Sequence, residues 1–317
     1  MRVAAIDCGT NSIRLLIADV SLETGTLTDV VRTMTVVRLG QGVDRTGELS
    51  AEALSRTFAA VDDYAERCRE HGVEAIRFVA TSATRDARNR DAFLTGVESR
   101  LGVTPEVISG AEEAALSFRG ATGALDAAHD APFLVVDLGG GSTEVVLGVS
   151  RPEAAHSMDV GCVRMTERHL AGDPPSAEQV AAAEADVNDA IDMAFAGVPV
   201  ERTATLVGLA GTITTVTAHA LGLPEYDRDA INGAVIDIDD AIRACDELLA
   251  ASRTERAALG FMHPGRVDVI GAGALVWRTV MTRVRSAVVG AGGALPHVVT
   301  SEHDILDGIA FSAAERG

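Results

Sequence analysis

Lysine is missing from this 317-residue chain, so all 27 of its permanently basic side chains are arginines. A Walker A loop, a pyridoxal Schiff base and the strand lysine of a protein kinase are thereby excluded. Genomic base composition is the simpler cause of the absence, and the exclusions hold whatever the cause. Cysteine is scarce as well: Cys8, Cys68, Cys162 and Cys245 stand far apart, with no C-x-x-C pair and no histidine at zinc-finger spacing. Four reduced thiols are expected, and neither a zinc site nor a redox pair. Long apolar runs are also lacking; apolar stretches stop at strand length, well short of the ~20 residues of a membrane helix. The N-terminus opens on a strand-like run without the basic region, apolar region and cleavage site of an export signal, which predicts a cytoplasmic protein. Positive charge is in the minority, 27 residues against 46 acidic ones, for a net −19. Broad binding to nucleic acid or to an anionic membrane needs a basic surface and is not expected. Any polyanion has to be met locally, by arginine, backbone N–H groups, hydroxyls or a metal ion.

What is present is an apolar content of 47%, enough for real cores, in a chain longer than one core comfortably organises. Two domains are expected, 1–125 and 126–317, joined by a linker at 126–132, with the last helix, from about 304, a candidate to pack back on the first. Apolar alternation predicts a hairpin over 2–8 and 12–20 that continues over 26–39. Ser50 reads as the N-cap of a helix whose apolar residues Leu54, Phe58, Val61, Ala65 and Cys68 keep 3,4,3,4 spacing. A strand at 75–80, a helix at 85–100, a short strand at 106–109 and a helix at 112–120 follow. The second half reads as strands at 133–137, 143–149 and 154–160, helices at 162–170 and 176–196, a strand at 205–209 and a helix beyond it. Helices at 238–251 and 272–285, strands at 286–290 and 297–300 and a helix from 304 complete it.

Two segments 130 positions apart share one layout: Ile6-Asp7-Cys8-Gly9-Thr10-Asn11-Ser12 and Val136-Asp137-Leu138-Gly139-Gly140-Gly141-Ser142. In each, a β-branched apolar run ends in Asp-x-Gly, a small-residue turn closes on Ser, and a second apolar run follows. Glycine permits a tight turn with bare N–H groups against a ligand, hydroxyls add donors, and the Asp offers a carboxylate to a cation. A single such turn is more often an ordinary hairpin. Two in register, Asp7 on Asp137 and Ser12 on Ser142, predict a duplicated domain with two phosphate-holding loops facing one another across a cleft.

With these loops in place the chain resembles the exopolyphosphatase/guanosine pentaphosphate phosphohydrolase (Ppx/GppA) family of the actin-like ATPase-domain superfamily. Beyond the loops, the resemblance runs through Ala80-Thr81-Ser82-Ala83-Thr84-Arg85, Ile108-Ser109-Gly110-Ala111-Glu112-Glu113-Ala114, Gly161-Cys162-Val163, Gly208-Leu209-Ala210-Gly211-Thr212 and Arg266-Val267-Asp268. It implies an α/β fold of two actin-like (ribonuclease H-like) domains with an interdomain cleft. The activity it implies is hydrolysis of the terminal phosphoanhydride of inorganic polyphosphate. Guanosine pentaphosphate (pppGpp) is the alternative substrate, and a non-catalytic nucleotide or polyphosphate switch the alternative of another class. Longer family members carry an additional helical domain with a His-Asp signature; this chain ends without it, so short chains are the expected substrates. The expected assembly is a homodimer.

The resemblance places the catalytic base on Glu113. Hydrolysis of a phosphoanhydride does need a carboxylate beside an in-line water. Glu112, next to it in the first turn of the same helix, is expected only to complement the helix dipole. The divalent ion, Mg²⁺ with Mn²⁺ as substitute, falls to Asp137 and Glu144, with Asp7 reaching it through water. Arg85 is the family's substrate arginine, suited to gripping two phosphate oxygens; without the family it would read as an exposed helix residue. Gly9, Thr10, Asn11, Ser12, Gly139, Gly140, Gly141, Ser142 and Thr143 are expected around phosphate, and Gly211 and Thr212 on the nucleotide side or along a polymer. Cys162 has no neighbouring His or Lys and reads as packing.

Overall fold

The computed structural model describes residues 1–123, 125 and 129–317; of the expected linker, residues 126–128 lie outside the described ones. Contacts divide the chain into two compact units, 1–120 together with 305–317, and 121–304. The division thus falls at 120/121 rather than 125/126, and the last thirteen residues belong to the first unit, on which the last helix was a candidate to pack.

The first unit opens with β1 (Arg2–Cys8), β2 (Ser12–Ser21) and β3 (Thr26–Val36), then α1 (Val43–Thr46), α2 (Ala51–Glu70), β4 (Ala75–Ala80), α3 (Ser82–Asp86), α4 (Arg90–Leu101), β5 (Glu106–Val107) and α5 (Gly110–Thr122). Its sheet runs β3-β2-β1-β4-β5, with β1–β2–β3 antiparallel and β1, β4 and β5 parallel. The sheet is covered on both faces, so β1 reads as an unbroken apolar run rather than an alternating one. Ala4, Ile6 and Cys8 pack on the α2 side with Val61 and Tyr64, while Val3 and Ala5 pack with Leu116 of α5 and Ile309 of the C-terminal helix (Ile305–Arg316). Ser50 caps α2, its hydroxyl accepting from Ala53 N–H.

Several ties hold the C-terminal helix to this unit. Asp307, 2% exposed, receives Arg32 of β3 at 2.6 Å. The buried Arg77 of β4 donates to Ser312 at 2.6 Å. At Gly308 the helix comes so near α5 that a Cβ would meet the backbone carbonyl of Leu116.

The second unit repeats the plan: β6 (Phe133–Leu138), β7 (Thr143–Gly148), β8 (Pro152–Met158), α6 (Cys162–Arg168), α7 (Ala177–Phe195), β9 (Thr205–Leu209), α8 (Ala210–Ala220), α9 (Arg228–Ile231), β10 (Val235–Asp237), α10 (Ile238–Ala250), α11 (Arg253–Ala257), α12 (Ile270–Gly290) and β11 (His297–Thr300). In the order β10-β11-β9-β6-β7-β8, strands β11, β9, β6, β7 and β8 stand where β5, β4, β1, β2 and β3 stand in the first unit, with the same directions. This is the duplicated α/β architecture expected of the chain. Ser176 starts α7 with a capping box closed by Gln179.

The expected strand at 286–290 is instead the last turn of α12. Val284 and Val288, four residues apart and buried, lie on the helical face that joins the core around Trp277, so helical packing overrides the β-branched composition. The short elements α1, α3, α9, α11 and β10 have too few residues to show a period and went unpredicted. Among the described residues, no helix is long and apolar enough to cross a membrane.

Candidate active site

Both loops are the turns between the first two strands of their sheets, and both close the same way. Gly9 N–H donates to Ser12 O and Gly139 N–H to Ser142 O, each at 3.0 Å. Those two N–H groups therefore hold the turn and do not face a ligand, contrary to the part expected of Gly9 and Gly139.

The remaining peptides are oriented by the segment that leaves the third strand. In the second unit this segment is the start of α6: Cys162 N–H donates to Gly139 O (3.0 Å), Val163 and Arg164 N–H to Gly140 O (2.8 and 3.1 Å), and Arg164 Nε to Gly141 O (2.7 Å). A trans peptide carries its C=O and N–H on opposite sides. With three consecutive carbonyls turned to α6, the N–H groups of Gly140, Gly141 and Ser142 point away from it as a row of donors, the arrangement that binds anions. Gly161 permits the approach, since a Cβ there would sit 2.6 Å from the carbonyl carbon and oxygen of Gly140.

In the first unit, Gly40 N–H donates to Thr10 O (2.8 Å), and Val37 and Arg38 N–H donate to Asn11 O (3.1 and 2.8 Å). The N–H groups of Asn11 and Ser12 are thereby turned to the other side. Arg38 adopts φ 50, a left-handed conformation unusual for a side chain of its size.

Two hydroxyls expected to meet phosphate are spent within the protein. Thr10 Oγ1 pairs with Ser82 Oγ at 2.9 Å, both buried, and Thr143 Oγ1 donates to Val160 O at 2.6 Å. Each β-branched side chain sits on the inner face of its turn, where only a local partner can satisfy it.

The two aspartates differ in what faces them. Asp137 stands directly across the β6–β7 ladder from Glu144, which places their Cβ atoms about 5 Å apart on one face. Both are buried, and Ser157 donates to Glu144 Oε1 at 2.7 Å. In the first unit the residue across from Asp7 is Arg14, whose guanidinium holds Asp7 Oδ2 at 2.7 Å. Asp7, expected to reach the metal through water, thus has its charge met by an arginine, whereas Asp137 has a second carboxylate beside it. Counting seven residues on from each Asp would have exposed this difference in the sequence. Among the described residues, no group of three or more His, Cys, Asp or Glu side chains could cage a metal by itself. Two hard carboxylates suit Mg²⁺, which takes one or two of them and completes its shell with water and phosphate oxygens.

Adjacent positions separate Glu112 from Glu113. Ser109 starts their helix, its Oγ accepting from Glu112 N–H and its carbonyl from Glu113 N–H. Neighbours on a helix point some 100° apart, and each glutamate finds its own arginine. Glu112 pairs with the buried Arg77 at 2.5 Å, where Arg77 also meets Glu106. Glu113, 8% exposed, receives Arg85 Nη1 at 3.1 Å, and the same nitrogen donates to Ile108 O at 2.9 Å. Arg85, expected on substrate, is thus engaged with the candidate base.

Around Gly211 the structure adds residues that did not figure among the expected site groups. Arg266 lies over Gly211 so closely that a Cβ there would strike its guanidinium, and it donates to Thr215 at 3.2 Å. Thr212 and Cys162 both lie against Gly273, where a Cβ would meet their side chains. Burial pushes all four thiols above their ordinary range, which suits packing and not nucleophilic chemistry. Tyr226 donates to Glu302, whose carboxyl burial raises above the usual range.

A model of the Ppx/GppA phosphatase family matches residues 16–299. Exopolyphosphatase 2 of Mycobacterium tuberculosis is 51% identical over 320 aligned residues, 99% of this chain and 98% of that protein. A guanosine-5'-triphosphate,3'-diphosphate pyrophosphatase of Pseudoalteromonas atlantica is 38% identical over 181 residues, 57% of this chain and 35% of that one. The crystal structure of an exopolyphosphatase-like protein superposes with a TM-score of 0.96 at 47% identity, covering 100% of this chain and 99% of that one.

Proposed function

Because the chain belongs to the Ppx/GppA phosphatase family, we propose that it is an exopolyphosphatase, releasing orthophosphate from the end of inorganic polyphosphate. One observation carries the choice of substrate. Similarity to an exopolyphosphatase covers 99% of this chain and 98% of that one, whereas similarity to the guanosine-5'-triphosphate,3'-diphosphate pyrophosphatases of Pseudoalteromonas atlantica and Photobacterium profundum covers 57% and 66% of this one.

The residues divide the reaction as follows. Glu113 takes the proton of the attacking water as that water's oxygen bonds to the terminal phosphorus; the bond to the bridging oxygen breaks, and the shortened chain leaves with its electron pair. Arg85 Nη1 holds the Glu113 carboxylate. The outward N–H groups of loop 139–142 supply donors for phosphate oxygens, where backbone groups fixed beforehand need no reorganisation as charge shifts. Asp137 and Glu144 would hold Mg²⁺ or Mn²⁺, which when bound neutralises charge on the transferring group.

The test is orthophosphate release, with Mg²⁺, from short polyphosphate, long polyphosphate, pppGpp and ATP in parallel. Polyphosphate is expected to be the best substrate. A higher kcat/KM for pppGpp would transfer the assignment to the alarmone, and no release from any of the four would make the protein a binding switch.

A further inference from the structure

The duplicated loops solve one problem by two means. The third peptide of each turn, Asn11–Ser12 in one unit and Gly141–Ser142 in the other, has to show its N–H outward. In the first unit its carbonyl is held by backbone, the N–H groups of Val37 and Arg38. In the second the carbonyl of Gly141 is held by a side chain, the Nε of Arg164 at 2.7 Å.

We propose that Arg164 is a positioning residue for the phosphate loop of the second unit, fixing the Gly141–Ser142 peptide so that Ser142 N–H faces phosphate. The inference rests on the exopolyphosphatase reading of that loop. Glycine supplies the physical need: with Gly140 and Gly141 in succession, the turn has no Cβ to restrict its peptides, and an unheld one can rotate its N–H away from the ligand. Arg164 is well placed for the task. Its own N–H already holds Gly140 O, its side chain is 12% exposed, and its Nη2 forms an ion pair with Asp159 at 3.9 Å.

The bond uses Nε, which has an isostere. Gln places an amide nitrogen the same number of atoms from the backbone and carries no charge, Lys keeps the charge but moves the donor one atom further out, and Met keeps the length without a donor. KM for tripolyphosphate, the inhibition constant of orthophosphate and thermal unfolding should be measured for Arg164→Gln, Arg164→Lys and Arg164→Met. Met and Lys are expected to raise both constants by about tenfold, the order of one hydrogen bond to a charged group, and Gln to restore most of that loss. A merely structural role would move the melting temperature and not this order of variants.

Restoration by Lys but not by Gln would overturn the proposal, because the guanidinium would then act through its charge. So would wild-type constants in all three variants. If Met unfolds, the comparison of Gln with Lys still decides. Failure of the functional reading is separable: it appears as no orthophosphate release by the wild-type protein.

Discussion

Glu112 and Glu113 are one bond apart in the chain and belong to different parts of the molecule. Arg77, which also meets Glu106 and Ser312, ties the first into a structural network, while Arg85 pairs with the second. Gln in place of Glu113 keeps an acceptor for Arg85 and removes the base, so Glu113→Gln should lower kcat by roughly two to four orders of magnitude with little change in KM. Glu112→Gln should leave kcat within a few-fold and cost about 1 kcal/mol or less, since its carboxylate is 42% exposed. Steady-state kinetics on both variants, with melting curves, check the pair; equal losses of kcat would move the base assignment. The same contrast of neighbours applies to the aspartates. Asp137→Asn should raise the Mg²⁺ concentration needed for half-maximal rate, and activity should vanish in EDTA and return with Mg²⁺. Full activity in EDTA would remove the metal role of Asp137 and Glu144.

Strands place the chemistry, but the segments after β3 and β8 orient it. Both turn loop carbonyls inward, and both need glycine where backbone meets backbone or a packed side chain. Gly161→Ala sets a Cβ 2.6 Å from the Gly140 carbonyl in a conformation, φ −159 and ψ 167, that alanine adopts without strain. The effect is therefore steric and local: a cost of about 1–3 kcal/mol and a raised KM for polyphosphate, read by unfolding and kinetics together. An unchanged KM would show that loop 139–142 does not meet substrate. The C-terminal helix makes a second case. Asp307→Ala removes the buried partner of Arg32, which keeps Asp29 at 2.7 Å, and should destabilise the first unit by about 1–2 kcal/mol, measured by denaturant unfolding.

The net charge of −19 acts on substrate length. Each phosphate of a long polymer carries about one negative charge, and an acidic surface repels the units that extend beyond the local donors. Affinity should stop growing after a few phosphates, so kcat/KM on short chains should equal or exceed that on chains of hundreds, with distributive products on a gel. Fully degraded long chains beside untouched ones would reveal a processive basic track instead.

The paired loops, their flanking strands and the cap at Ser50 were legible in the sequence, because turn chemistry and hydrophobic period are properties of neighbouring residues. So were Glu113, Asp137 and Glu144 as candidates, through motifs that are contiguous. Arg164 was not, since its bond to Gly141 spans 23 positions and depends on how α6 meets the turn. Nor was the spending of Thr10 and Thr143 on internal partners, or the engagement of Arg85 with Glu113, because a hydroxyl or guanidinium has no period that tells which way it points. The helical 286–290 turned on packing that a β-branched composition does not reveal. Local order followed from the sequence by itself; which loop N–H groups point outward was decided only when the folded chain held their carbonyls.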